Sequence, residues 1–203
     1  QGIKKGIENT NYLILTQNKK YILTIFEKRV HGGCKHNDLI FFTKLMAKLS
    51  KSKIKCPCPV KNKKGNYIFK LKNKNACIVS FLKGKDKKQL NAKDCFAVGK
   101  NIAKLHKVST KLKLYRKNTL SVNSWARLLS KIDNRINKNS KNFKRIMFDD
   151  LKYIKKNWPK NLPNGIIHCD LFVDNIFFNK NQFYGFIDFY FSSNDFLSYE
   201  IAT

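Results

Sequence analysis

The residue patterns predict an α+β fold in two lobes: a small antiparallel sheet carrying one helix, then a mostly helical half. Three observations predict it. Residues 1–83 read chiefly as short β-rich runs, the chain after Gly84 switches to apolar spacings of three and four, and β-like pieces return only after Pro159 and Pro163.

Taken in order, "TNYLILT" and "KYILTIFE" are β-rich runs joined by the polar turn Gln17-Asn18-Lys19, a hairpin signal. In "NDLIFFTKLMAKLSK" the residues Phe42, Leu45, Met46 and Leu49 recur at helical spacing, with Asn37 or Asp38 placed to cap the start. Pro57 and Pro59 end that helix region. "NYIFKL" and "ACIVSFL", joined through "KNKN", form a second hairpin. Past Gly84, Cys95, Val98, Gly99, Ile102, Leu105 and His106 mark one face of a helix over "DCFAVGKNIAKLHKV", where His106 reads as a core histidine. "SVNSWARLLSKI" and "FKRIMFDDLKYIKKNW" are two more helices, and "GIIH", "NIFFN" and "FYGFIDF" are the returning strands. The closing "SYEIAT" looks like the start of another helix. The expected lobes are residues 1–83 and 84–203.

Composition bounds the function. With 203 residues, 42% of them hydrophobic, the chain can bury one sizeable core or two small ones. No run approaches the roughly 18 apolar residues that cross a bilayer, and the first residues lack signal-peptide features, so the expected setting is the cytoplasm. Forty-two Lys and Arg against 13 Asp and Glu give a formal charge of +29, but the lysines spread over every segment and no aromatic-basic pattern accompanies them. Dedicated nucleic-acid binding is not expected. Cys34, Cys56, Cys58, Cys77, Cys95 and Cys169 are scattered, and the tight "CPCP" lacks a second pair at zinc-finger spacing, so they read as free thiols.

The chemistry concentrates in "IIHCDLFVDNIFF". If its two ends are strands, Asp170 and Asn175 close one tight loop, and "GFIDF" pairs back to bring Asp188 beside them. Two carboxylates and an amide oxygen form a hard-ligand set suited to Mg²⁺, which keeps waters and phosphate oxygens in its remaining positions. The spacing is that of the kinase catalytic loop: H-x-D, an Asn five residues after the Asp, and a further Asp in a D-F dipeptide after the next strand. Asp174, beside Asn175, reads as a residue that caps the loop.

"HCDLFVDN" and "YGFIDF" resemble the H-G-D-L…N…G-x-I-D-F signature of the aminoglycoside phosphotransferase and choline kinase branch of the protein-kinase-like superfamily. Within it, "GIENTNYLILT", "YILTIFEKRV", "VGKNIAKLH" and "IIHCDLFVDNIFF…GFIDFYFSSNDFLSYEIA" resemble the homoserine kinase family, with a short N-terminal piece and a C-terminal helical portion of that family absent. This resemblance implies a two-lobed kinase-like fold, ATP and Mg²⁺ as cofactors, and transfer to the hydroxyl of L-homoserine as small-molecule acceptor. It implies Asp170 as the base, Asn175 and Asp188 as metal ligands, and His168 as support for the loop. Gly6, Glu8, Asn9 and Asn11 would lie in the loop over the phosphates, and Ser80, Phe81 and Leu82 would meet the adenine edge. Tyr190, Asn194 and Asp195 would face an amino acid's charged groups. Strand phase puts Thr24 in the slot of the phosphate-binding lysine, with Lys28 as the other candidate and Asp38 as the helix carboxylate that would pair with it. Cys169 stands where Gly is usual, which asks for an ordinary backbone there, and Glu200 stands for an Asp, which would loosen the supporting helix. Choline- and methylthioribose-type kinases, or a catalytically silent kinase-like binding module, are the alternatives; the shortage of acidic residues disfavours an aminoglycoside site.

Overall fold

The fold is that of a computed structural model, which describes residues 1–3, 9–27, 36–131 and 142–203. The strands of the first half are β1 (Gly2–Ile3), β2 (Asn9–Leu15), β3 (Lys20–Phe26), β4 (Ile68–Leu71) and β5 (Lys74–Ser80). They form one antiparallel sheet in the order β1-β2-β3-β5-β4. The β2–β3 turn is closed by Thr16, whose Oγ1 donates to the Lys19 carbonyl at 2.9 Å and accepts the Lys19 N–H at 3.1 Å. The β4–β5 turn is tighter than expected. It consists of Lys72 and Asn73, both at positive φ (45° and 64°), as a two-residue primed turn requires, and β5 starts at Lys74.

Helix α1 (His36–Lys51) packs Leu39, Phe41, Phe42, Leu45, Met46 and Leu49 inward, and each such burial stabilises by about 1.5–3 kcal/mol. Asn37 and Asp38 lie inside its first turn, so neither caps it. Gly84 then passes the chain to the second half at φ +116°, where a Cβ would stand 2.6 Å from the Phe178 carbonyl oxygen. Only glycine permits that approach, and it lets Lys85 and Phe178 exchange backbone hydrogen bonds of 3.0 and 2.9 Å.

Helix α2 (Ala92–Ser109) begins with a capping box in which Asn91 accepts the Asp94 N–H and Asp94 accepts the Asn91 N–H. Its inward face is Asp94, Val98, Leu105, His106 and Ser109. Cys95 and Gly99, expected on that face, are exposed. Asp94 turns inward instead, held by Asn91 and by Lys87 at 2.8 Å, while Val98, Leu105 and His106 are buried as expected. Helices α3 (Val122–Ser130) and α4 (Phe143–Asn157) share a small core of Val122, Leu129 and Leu151, with Trp125 edge-on to Trp158.

The closing segment holds β6 (Asn164–Ile167), β7 (Ile176–Asn179), β8 (Gln182–Phe186), β9 (Ser193–Phe196) and α5 (Leu197–Ala202). β7 pairs with β8 and β6 with β9, both antiparallel. The pairing of β9 is not foreseen from its residues, "SNDF", which lack β-branched side chains. One buried cluster runs through both halves, joining Phe42, Leu45, Cys77 and Val79 to Ile166, Ile176, Phe178, Phe186 and Phe189. Among the described residues no helix is long and apolar enough to cross a membrane.

Candidate active site

The loop between β6 and β7 starts at His168, which is fully buried. Its Nε2 lies 2.7 Å from the Ile187 carbonyl. A carbonyl only accepts, so Nε2 carries a proton. Nδ1 is buried without a hydrogen-bond partner. Burial holds the imidazole below its usual titration range, against the Glu200 carboxylate and the Ile187 carbonyl, which favour the cation.

Cys169 corrects an expectation: it does not take an ordinary backbone but sits at φ 68°, in the left-handed region. A non-glycine residue there costs about 1–2 kcal/mol. The structure supplies the offset from 31 residues away. Glu200, fully buried in α5, accepts the His168 N–H on Oε2 at 2.5 Å and the Cys169 N–H on Oε1 at 3.1 Å. The Cys169 Sγ meets Ser193 Oγ at 3.0 Å. Glu200 therefore does not loosen its helix; its carboxylate fastens α5 to the loop. His106 stands beside it, Nε2 3.6 Å from Oε2, with no hydrogen bond to that nitrogen. Burial also pushes the Cys169 thiol up to about 12, so it stays protonated.

Past Cys169, Asp170 is partly buried, Asn175 is buried, and Asp174 is exposed. A short 3₁₀ turn, Val173–Asn175, leads into β7. The Asn175 Nδ2 donates to both the backbone carbonyl of Asp170 (2.7 Å) and its Oδ2 (2.9 Å). Two acceptors at one end fix that end as the NH₂, so Oδ1 is the end left to take a cation. The Asn175 carbonyl in turn accepts the Ile187 N–H at 3.0 Å. Ile187 is thus bonded to His168 on one side and Asn175 on the other, and the next residue is Asp188, exposed and at φ 63°, ψ 59°. One network therefore joins His168, Asp170, Asn175 and the residue before Asp188. The oxygens of Asn175 and Asp188 are the hard donors that Mg²⁺ prefers, with solvent access for phosphate and water at Asp188, so the residues fit that ion.

On the sheet side, Asn11, Thr24 and Cys77 form one row across β2, β3 and β5. Thr24 is buried, and its Oγ1 donates to Asn11 Oδ1 at 2.8 Å. No lysine occupies that slot. Asn9, one row away, has a buried Oδ1 with no hydrogen-bond partner. Gly6, Glu8 and Lys28 lie outside the described residues. Ser80 is occupied by Cys58, whose N–H it accepts on Oγ at 2.9 Å, whereas Phe81 is exposed beside it. The Phe81 N–H goes to the Lys20 carbonyl, and a Leu82 methyl lies where a Cβ on Gly185 would come to 2.8 Å.

Tyr190, Asn194 and Asp195, expected to face an amino acid, each have partners within the protein. Tyr190 packs edge-on against Phe26 and Phe42, and its hydroxyl points at Cys77 Sγ, 3.7 Å away, toward the sheet. Burial raises its phenol well above the usual range. Asn194 Oδ1 accepts the Arg116 N–H at 2.9 Å, and Asp195 Oδ2 accepts Asn118 Nδ2 at 2.7 Å. These side chains bind the 116–118 segment because β9 lies beside it. Asp38 pairs with the Arg116 Nε at 2.8 Å. Arg116 is the site-proximal residue that reading the sequence missed. Its one signal is rarity, as arginine appears five times against 37 lysines.

An antiparallel sheet with one helix, set on a helical half that presents an H-x-D loop and a further Asp after a hairpin strand, is the layout of the protein-kinase-like phosphotransferase fold. The comparisons agree. The chain belongs to the phosphotransferase enzyme family, whose sequence profile matches residues 1–203. It is 39% identical over 202 residues to the homoserine kinase of Agrobacterium fabrum and 41% to that of Bartonella tribocorum, covering all of this chain and 62% of each relative. The chain thus spans about three fifths of the length of these relatives. Among solved structures, spectinomycin phosphotransferase in complex with ADP and spectinomycin superposes at TM-score 0.71 and 18% identity over 99% of this chain and 66% of that one. Amicoumacin kinase in complex with AMP-PNP and Ca²⁺ gives 0.74 at 15% identity, over 97% and 60%. At those identities the likeness is one of fold.

Proposed function

We propose that the protein transfers the γ-phosphoryl group of ATP to the side-chain hydroxyl of L-homoserine, giving O-phospho-L-homoserine and ADP, a step toward threonine in the cytoplasm. The observation that supports the reading is the hydrogen-bonded set Asp170–Asn175–Ile187–His168, in which an amide fixes the Asp170 carboxylate and the bonds run on to Ile187, the residue before Asp188. The full-length similarity to homoserine kinases supports the choice of acceptor.

In this reading residues 1–83 bind the nucleotide and residues 84–203 carry the chemistry. The acceptor oxygen bonds to the γ-phosphorus as the bond to the β–γ bridging oxygen breaks, and the hydroxyl proton passes to Asp170. Asn175 Nδ2 holds the Asp170 carboxylate in place through that transfer, and Asn175 Oδ1 and Asp188 would hold Mg²⁺. The ion, when bound, supplies charge neutralisation on the phosphates, which is most of what a loose phosphoryl-transfer transition state asks of a protein. Asn9 and the Ser80–Leu82 edge would line the nucleotide; with Thr24 bonded to Asn11, Lys28 is the remaining candidate for the phosphate cation.

Coupled ADP-release assays on the full-length protein, over homoserine, choline and methylthioribose, test the proposal. Turnover with homoserine is expected, and Asp170→Asn should lower kcat by roughly 10²–10⁴-fold. Activity that survives Asp170→Asn removes the base. No ADP release with any acceptor in the panel would favour the silent binding module, for which the uncharged Thr24 slot speaks.

A further inference from the structure

Arg116 lies between α2 and α3, outside every motif that marks the site, yet it grips three elements at once. Its Nε donates to Asp38 Oδ1 in the first turn of α1 at 2.8 Å. Its Nη1 donates to the carbonyls of Phe191 (3.4 Å) and Ser192 (3.2 Å), which close the turn that begins at Asp188. Its backbone N–H goes to Asn194 Oδ1, and its carbonyl accepts the Asn194 N–H at 2.7 Å. The guanidinium lies 4.8 Å from the Phe42 ring centroid, and the side chain is only 14% exposed. A fixed, planar fork of donors suits such a set, whereas a lysine ammonium carries its three donors on one nitrogen and does not span acceptors on two sides.

We infer that Arg116 is a positioning residue for Asp188, tying the turn that carries this carboxylate to helix α1 of the sheet half. In this chain the slot that strand phase assigns to a lysine holds Thr24, so no sheet cation at that slot is available to the carboxylate of α1. Through Arg116, Asp38 of α1 is joined to the half that carries Asp188. The tie continues beyond Arg116, since Tyr190 in the same turn packs on Phe26 and Phe42. The inference rests on the phosphotransferase reading above, because it concerns how the metal-side carboxylate is held.

Arg116→Met removes every side-chain tie; Arg116→Lys keeps the charge beside Asp38 but loses the fork. The readouts are Mn²⁺ affinity with AMP-PNP by electron paramagnetic resonance, hydrogen exchange of the metal-free full-length protein, and steady-state kinetics. Loss of a residue that orients a ligand typically weakens a metal site 10- to 100-fold, and we expect a shift of about tenfold for Arg116→Met, a smaller one for Arg116→Lys, and an unchanged KM for the acceptor. Exchange over residues 188–194 should quicken while α2 stays protected. Wild-type protein that binds no Mn²⁺ with AMP-PNP would sink the phosphotransferase reading and this inference together. Wild-type binding that Arg116→Met leaves unchanged, with exchange over 188–194 also unchanged, would overturn the inference alone, even if the variant melts earlier.

Discussion

The loop from His168 to Asn175 and the row Asn11–Thr24–Cys77 are held in different ways. In the loop the anchors act on the main chain: Glu200 takes two backbone N–H groups, His168 gives to a backbone carbonyl, and Asn175 gives to the Asp170 carbonyl. In the sheet row the strands' own ladder sets the backbone, and the polar contact runs from side chain to side chain, Thr24 to Asn11. A left-handed loop has no ladder to fix it, so a buried carboxylate must. Removing an anchor should therefore cost far more in the loop than in the row.

The largest expected effect is that of Glu200→Ala. It leaves two buried N–H groups without acceptors, at about 1–3 kcal/mol each, so urea unfolding should show a loss of about 2–6 kcal/mol together with loss of ADP release. A loss no greater than that of an ordinary surface substitution would mean the loop holds itself. Thr24→Val, nearly the same shape, deletes only the hydroxyl and should cost about 1 kcal/mol in the same measurement. If it cost as much as Glu200→Ala, the distinction between the two regions would collapse.

The same distinction explains what could be read in advance. The H-x-D loop, the Asn five residues on and the D-F after the next strand are contiguous in the chain, so local spacing carried them; so did the helical phase of Phe42, Leu45, Met46 and Leu49. The anchors are not local. Glu200 lies 31 residues from Cys169, and Asp38 lies 78 from Arg116. No periodicity links such pairs, and a glutamate on a short helix looks like any solvated charge. Cys169 is hidden from the sequence for the same reason: the partners that hold its left-handed φ, Glu200 and Ser193, lie 31 and 24 residues away. On α2 the expected Val98, Leu105 and His106 are inward, but the first-turn place given to Cys95 belongs to Asp94, because a polar side chain is on the inward face.

The smallest effect, and the most direct probe of how dry the loop is, concerns pH. His168 is neutral and buried in the folded protein, with its titration held down by burial, while in the unfolded chain it titrates near 6.5. Between those two values the unfolded state binds the extra proton, so stability is full above about pH 6.5 and falls as pH drops toward the folded-state value. The slope for one proton is at most about 1.4 kcal/mol per pH unit. Urea unfolding at pH 7.5, 6.5 and 5.5 should show this decline in wild type and a shallower one in His168→Gln. The imidazole proton resonances of His168 should stay at their neutral position across the range. A ring that titrated near 6.5 would mean that water reaches Nδ1, and a wet Nδ1 would give the loop a solvated polar group where the structure has only the Glu200 and Ile187 anchors around a closed ring.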